Sequence, residues 1–545
     1  MDGKRVVLFL CLISNAWAQF QQTTSIQRCA FTFLTESATC GSSNYMRELS
    51  REFRPSWKHI KVLAYTGSFS LADTDGNHVN YVQDLDLSHI GVIIVPNSAF
   101  IHYASLKRLN LANASIRSID DSWFGSNNVI LDLDLSHNEV TSLRRSQFRN
   151  LKQLRLLNLM DNNIDSIEQN VFQDLNQLTH INFRFNRIRT MAPLGHMSRL
   201  HSLDLGENSI NELSNNVFRN LDSLTHLQLE QNGIATIRDG VFSALENLKE
   251  LNLSGNSIRQ ISSGTFQGLI RLHVLDLSEN NLNKIKGSAF RELQSLLNLN
   301  ISKNTLNELD EQTFVGLANL NTLLLKNNAI LNIQPNTFAP LQSIFRIDLS
   351  SNLLRNINNN IFGNQILPLQ KLFIQKNNIG SVQPRTFDAV PYIDFLSLAH
   401  NQIQTLDENI FDPLVNLKKL QLNNNRIEFI PQKIMDSINR ITELQIKHNR
   451  LTFLPNTQNT FKYLEKITLE GNPWQCPCIS EIFDSILQQT QHRYIEFFNG
   501  ANAFYSGAKP LCYELPVEPS AACIRNVDLI RQYRVVEIYE NALRG

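Results

Sequence analysis

The sequence predicts an α/β solenoid: a curved stack of short parallel strands, closed at each end by a disulfide-bonded cap. Three observations carry that expectation. First, a frame L-x-x-L-x-L-x-x-N, seen in Leu154, Leu157, Leu159 and Asn162, recurs with its final Asn at fifteen positions from Asn138 to Asn472. Most steps are 24 residues, the exceptions being 22, 25 and 23. Second, Phe stands ten residues beyond the frame's end at thirteen positions from Phe100 to Phe411, and His196 and Met435 break the series. Third, the cysteines are confined to the two ends, with none between Cys40 and Cys476. Two phase-locked series over most of a chain are the signature of a repeat architecture.

Residues 1–18 read as a secretory signal. Lys4 and Arg5 precede an apolar run from Val6 to Ile13, and Ala16 and Ala18 give the small residues a signal peptidase reads. The run is too short to span a bilayer, and no later stretch approaches the roughly 20 apolar residues a spanning helix needs. The expected location is therefore secreted and extracellular. Lys+Arg and Asp+Glu both number 50. A neutral balance gives no reason to expect nucleic acid or an anionic membrane as partner.

Residues 19–80 form the expected N-terminal cap, with Cys29 and Cys40. Removal of Cys11 with the signal leaves six cysteines, an even number in a secreted chain, which argues for disulfides over zinc. Residues 81–472 divide into seventeen repeats. The first two keep Leu85, Leu87, Leu109 and Leu111 but have Ile90 and Ala114 in place of Asn. Within x-L-x-L-x, alternation at period two puts the leucines on one face of a short strand. The Asn amide, placed where the strand turns away, offers donors and an acceptor to backbone groups left unpaired. The Phe series fills the space behind. Seventeen rungs at roughly 4.8 Å would give an inner arc on the order of 80 Å. No repeat buries its own core, so stability is expected to be a sum over neighbours.

Residues 473–524 form the C-terminal cap. Its opening, Gly-Asn-Pro-Trp-Gln-Cys-Pro-Cys from Gly471 to Cys478, resembles the C-terminal cap of extracellular leucine-rich-repeat proteins. With the repeat frame, the chain from about 29 to 524 is similar to the typical 24-residue class found in Toll-like receptor ectodomains and secreted insect leucine-rich immune proteins. That resemblance implies a leucine-rich-repeat horseshoe with a parallel concave sheet, and pairing of Cys476 with Cys512 and of Cys478 with Cys523. It also implies a shorter N-terminal cap joining Cys29 to Cys40, where the commoner version has four cysteines. Family membership implies binding of proteins, lipids or microbial products and names no ligand.

No phosphate loop, dinucleotide fingerprint, zinc-protease or nucleophile-elbow motif occurs, so an enzyme, a cofactor and a catalytic metal are not expected. His89, His137, His400 and His448 all stand just before the frame's last position, one surface slot repeated. Asp84, Asp86, Asp132 and Asp134 lie on concave strands, where Asp is an ordinary solvated residue.

The concave face is where recognition is expected. Its early repeats are rich in acids and its last seven in lysine and arginine. Leu324, Phe373 and Phe395 put apolar side chains on that face, flanked by Arg346 and Lys371, a composition typical of binding hot spots. These five residues are the expected ligand-binding site. Leu156 and Met160 form a weaker second candidate. N-glycosylation sequons stand at Asn113, Asn252 and Asn300, the last two on concave strands. The tail 525–545 carries apolar residues suited to a short helix that docks on the cap or on a second chain, which leaves a homo- or heterodimer open. The expected function is extracellular protein binding or pattern recognition, in innate immunity or cell adhesion, with another extracellular protein or a microbial or cell-surface ligand as partner. The alternative is a carrier or regulatory subunit that stabilises a secreted enzyme or hormone.

Overall fold

The computed structural model describes residues 29–32, 37–40, 58–62, 68–70, 79–456, 460–490, 496–497, 512–513 and 522–532. The expected signal segment, 1–18, lies outside the described residues. The chain divides into two compact units, Met1–Ile234 with Ala244–Leu248, and Ala235–Ser243 with Lys249–Gly545. Each unit is a parallel-strand solenoid.

In the first unit a hairpin opens the stack. Cys29–Thr32 pairs antiparallel with Ser37–Cys40, and Cys29 stands directly opposite Cys40 in register. The sulfur atoms of that pair lie outside the described side chains. Ser37–Cys40 then pairs parallel with His59–Val62, which pairs parallel with Asp84–Asp86. The parallel ladder therefore starts two rungs before the first periodic leucines, and in the second of them Ile60 and Val62 are buried in the leucine positions. Seven three-residue rungs follow, from Asp84–Asp86 to His226–Gln228. Each is centred on a Leu or Ile no more than 2% exposed, and the next inward residue is buried as completely.

The frame's Asn works as its chemistry suggests. Asn138 accepts from the N–H groups of Ala114 and Ile116, at 3.0 Å each, and donates to the carbonyls of Leu111, Leu135 and Ser136. It ties its own turn to the preceding repeat and leaves few orphaned backbone groups in a buried bend. The residue before the frame's last position adopts a left-handed backbone, as at His89 (φ 60°), His137 (56°) and Phe185 (56°). The repeated histidine slot is thus a turn position.

The shortened repeat around Met191, Ala192 and Pro193 keeps the ladder in register, with His180 opposite Ser202 and Ile181 opposite Leu203. Its missing Phe is replaced by Leu194 and Met197, both buried, and by Phe183, whose ring centroid lies 6.1 Å from that of Phe172. Gly195, at φ 121°, sits where a Cβ would come within 2.9 Å of the Gln173 backbone.

The second unit carries ten such rungs, from Glu250–Asn252 to Lys466–Thr468. Behind them the phenylalanines stack, Phe266 on Phe290 at 6.0 Å and Phe314 on Phe338 at 5.8 Å between centroids. The outer returns are turns and two-residue strands such as Gln260–Ile261 paired with Lys284–Ile285. The stack ends in a cap. Trp474 is fully buried and donates its indole N–H to the Leu469 carbonyl at 2.7 Å. The helix Cys476–Gln489 turns Ile479, Ile482 and Ile486 inward. Disulfides join Cys476 to Cys512 and Cys478 to Cys523. The short helix Val527–Gln532 docks beside the cap. Ile530 packs with Phe453 and Cys478, while Arg531 reaches Glu428 at 2.8 Å and Arg525 pairs with Glu481. Among the described residues no helix is long and apolar enough to cross a membrane.

Candidate binding faces

Every rung offers two outward side chains on its strand, flanking the central inward residue. The third strand position has a structural use wherever it holds Asp or Asn. Asp86, Asn110, Asp134, Asn158, Asn182 and Asp204 each accept from the backbone N–H two residues on, closing the turn that ends the strand. In the second unit Asn252, Asp276, Asn300 and Asp348 do the same. Many concave acids and amides are therefore turn-formers. That role was not legible from the charge count alone, although the two-residue spacing was its signal.

Against that rule, the second unit places Leu324, Phe373, Ser397, Gln421, Gln445 and Thr468 at the third position. Phe373 and Phe395, on neighbouring strands, stack at 4.7 Å with 34° between ring planes. The Arg346 guanidinium lies 4.5 Å over Phe373, and is anchored by Asp348 at 3.4 Å. Phe373 is thus contacted by a cation from the preceding rung and a ring from the following one. Lys371 turns instead toward Phe345, its Nζ 5.4 Å from that ring. Leu324 is half-buried two rungs before Phe373, with Asp348 between them, and stays outside the stack. Arg346, Phe373 and Phe395 are brought into one cluster; Lys371 borders it; Leu324 does not join.

The basic excess of this face is smaller than a count suggests. Lys419 pairs with Glu443 at 3.4 Å and Lys447 with Glu470 at 3.3 Å. Among the described residues Lys326 and Lys371 have no carboxylate within ion-pair distance.

In the first unit the concave side forms an open trough of 630 Å³ lined by Asp84, Asp132, Asp204, Leu156 and His180 among others. Its carboxylates are mostly engaged: Asp84 by His59 and Arg108, Asp86 by Lys61 at 2.9 Å, Asp134 by Ser136 and Asn158. Burial pushes the Asp132 carboxyl up against the opposing pull of Arg108 and Arg155. Burial also raises Asp204, with Glu230 adding to the shift and the Gly206 N–H opposing it. His180 is lowered by burial first and by His201 and His226 second. Arg184 pairs with Glu230 two rungs away, crossing over Gly206, where a Cβ would lie 2.6 Å from Glu230 Oε1 and 2.7 Å from Arg184 Nη1. Leu156, 40% exposed, lines this trough, while Met160 is half-buried.

Of the sequon residues, Asn113 is exposed on the turn row, its Nδ2 2.8 Å from His89 Nδ1. Asn252 and Asn300 are half-buried strand residues, and Asn300 also donates to Asp276 at 3.0 Å. In the same turn row His137 faces Asp161 at 2.7 Å. His400 is held below its usual range by burial first, then by Lys376, Lys447 and His448.

The family model described as leucine rich repeat matches residues 104–164, 190–234, 223–278, 270–330, 368–427 and 415–473, together more than half of the chain. The chain belongs to the leucine-rich-repeat family. None of the curated proteins matches the sequence. Among solved structures, a leucine-rich-repeat protein of Leptospira interrogans is 22% identical, with a TM-score of 0.57 over 84% of this chain and 99% of that one. Toll in its complex with Spatzle, from Drosophila, is 16% identical, with a TM-score of 0.50 over 84% of this chain and 78% of that one. The leucine-rich-repeat domain of APL1B is 23% identical over 58% of this chain and 82% of that one, with a TM-score of 0.46. At these identities the likeness is one of fold. The leucine-rich-repeat chain resembles Toll-like ectodomains in architecture.

Proposed function

We propose that this leucine-rich-repeat protein is an extracellular recognition protein, and that it holds a protein partner on the concave face of its second unit around Phe373 and Phe395. The observation that carries the reading is the Arg346–Phe373–Phe395 stack. Phe373 occupies a strand position where most rungs keep a turn-closing Asp or Asn, and forgoing that bond costs about 0.5–1.5 kcal/mol. A half-exposed aromatic with a pre-oriented guanidinium is the make-up of an interface hot spot. The two cap disulfides fit an oxidising compartment. The Toll structure named above is itself a complex with Spatzle. Innate recognition is the role this reading favours. Leu324 and Lys371 serve as the rim of the contact. Asn113, Asn252 and Asn300 are the proposed glycan acceptors, to be checked by a mass shift on glycosidase treatment.

The test is affinity capture from the native secretion with the wild-type chain and with Phe373→Ala plus Phe395→Ala. Loss of the captured partner at an unchanged melting temperature is expected. Equal capture by both forms overturns the assignment of this face. A constitutive complex with one secreted enzyme or hormone would instead make the chain a carrier.

A further inference from the structure

Resting on that reading, we infer that the same face takes an acidic, extended polypeptide segment bearing one apolar side chain. Three independent features ask for complementary groups that one such ligand supplies together.

The apolar feature is small. Phe373 lies against both Arg346 and Phe395, and each of the two rings is only half-exposed. One side chain covers what they expose. Aromatic and aliphatic anchors of this kind contribute through burial and ring geometry.

The charged feature is a pair of uncompensated cations. Lys326 and Lys371 have no carboxylate within ion-pair distance among the described residues, whereas Lys419, Lys447 and Arg346 have theirs. Arg346 also keeps a buried Nε with no acceptor. Excess positive charge beside an apolar anchor favours a carboxylate-bearing partner and speeds its approach.

The polar feature runs the other way. Ser397 Oγ, Gln375 Oε1 and Asn423 Oδ1 are buried without a hydrogen-bond partner, and Ser397 and Asn423 as residues are 0% and 6% exposed. Ser397 stands in register beside Phe373, and the backbone bonds Lys376 N–H to Ala399 and His400 N–H to Asn423 place Gln375 and Asn423 on either side of Ala399. Small Ser397 and Ala399 therefore sit between larger neighbours, next to the rings. The unpaired amide oxygens of Gln375 and Asn423 call for donors, and the Ser397 hydroxyl can accept from a donor or give its own hydrogen. The backbone amides of an extended segment are donors, while its acidic side chains meet Lys326, Lys371 and Arg346. Dextran sulfate supplies the negative charge without amide donors or an apolar anchor.

The experiment pans a displayed library of random linear peptides against the full-length protein, then measures one enriched peptide by fluorescence anisotropy. Enrichment of Asp and Glu around a single aromatic or aliphatic residue is expected. Lys326→Glu with Lys371→Glu should weaken that peptide at least about tenfold. Ser397→Ala should weaken it several-fold, and added salt should act mainly through the lysines. Melting curves of each variant check the fold. Enrichment of basic or uncharged peptides overturns the inference, as does binding unchanged in the double lysine variant. Equal competition by dextran sulfate overturns it in favour of a general polyanion site. Loss of native-partner capture in Phe395→Ala, with no acidic peptide enriched, leaves the proposed function standing and removes only this refinement.

Discussion

Replacing Asn280 by Ala removes one link of the asparagine ladder while leaving every leucine in place. Asn280 Nδ2 donates to the carbonyls of Leu253 at 2.9 Å and Leu277 at 3.1 Å, and Oδ1 accepts from the Ile258 N–H at 3.0 Å. A third acceptor is Ser278 O, and all three carbonyls keep another donor: Ser278 O the Gly255 N–H, Leu253 O the Asn256 Nδ2 at 3.0 Å and Leu277 O the Asn304 Nδ2 at 2.9 Å. The substitution thus leaves one buried group, the Ile258 N–H, without its partner. One orphaned buried donor costs about 1–3 kcal/mol. Asn280→Asp keeps an acceptor for Ile258 but turns the donor into a second acceptor facing two carbonyls, and should be worse than Ala at neutral pH. Asn307→Ala, at an exposed position, is the control. Urea unfolding followed by far-UV circular dichroism gives the stability loss, and hydrogen exchange at the Ile258 amide gives its location. If Asn280→Ala costs no more than the control, or Ile258 stays protected, the turn does not depend on the side-chain amide and the reasoning fails.

Three more outcomes follow from the geometry. Gly206→Val should part Arg184 from Glu230 and destabilise the first unit, with Arg184→Met plus Glu230→Met in the same background recovering part of the loss. Asp204→Asn should raise the melting temperature at pH 7: the folded carboxyl is raised above its unfolded value, so it favours folding only below the unfolded value and loses that contribution as pH rises through the folded value. The gain should fade below about pH 3.8, where both states are protonated, and an equal gain at pH 3 would refute the electrostatic cause. Arg531→Glu should repel Glu428 and free the Val527–Gln532 helix, read as faster amide exchange at Ile530 with the repeats unaffected.

The repeated rungs were legible because leucine, asparagine and phenylalanine each do one job at a fixed spacing. The C-terminal cap was legible through its Asn-Pro-Trp and cysteine pattern. Of the two rungs ahead of the periodic leucines, His59–Val62 was hidden because Ile60 and Val62 stand in for leucine and no Asn follows at the frame's end. At the face, Phe373 and Phe395 could be named from alternation alone. Their stacking with Arg346, and the separation of Leu324 by Asp348, depend on side-chain directions that spacing does not specify. The Arg184–Glu230 pair was unreadable for a similar reason. Its partners are two rungs apart, and only the missing side chain at Gly206 lets them meet.

The left-handed turn position before each Asn has a consequence for how the protein can change. It holds Glu207, Gln231, Glu279, Lys303, Ser351 and Lys376, although Gly or Asn would fit that backbone more cheaply, by about 1–2 kcal/mol per residue against a branched or bulky choice. Those side chains are not part of the core, so the row can vary its chemistry repeat by repeat without disturbing a single leucine. Swapping several of them for glycine should harden the molecule against heat, and the gap between that hardened form and the natural one measures how much resilience the chain has given up for freedom of its outer edge.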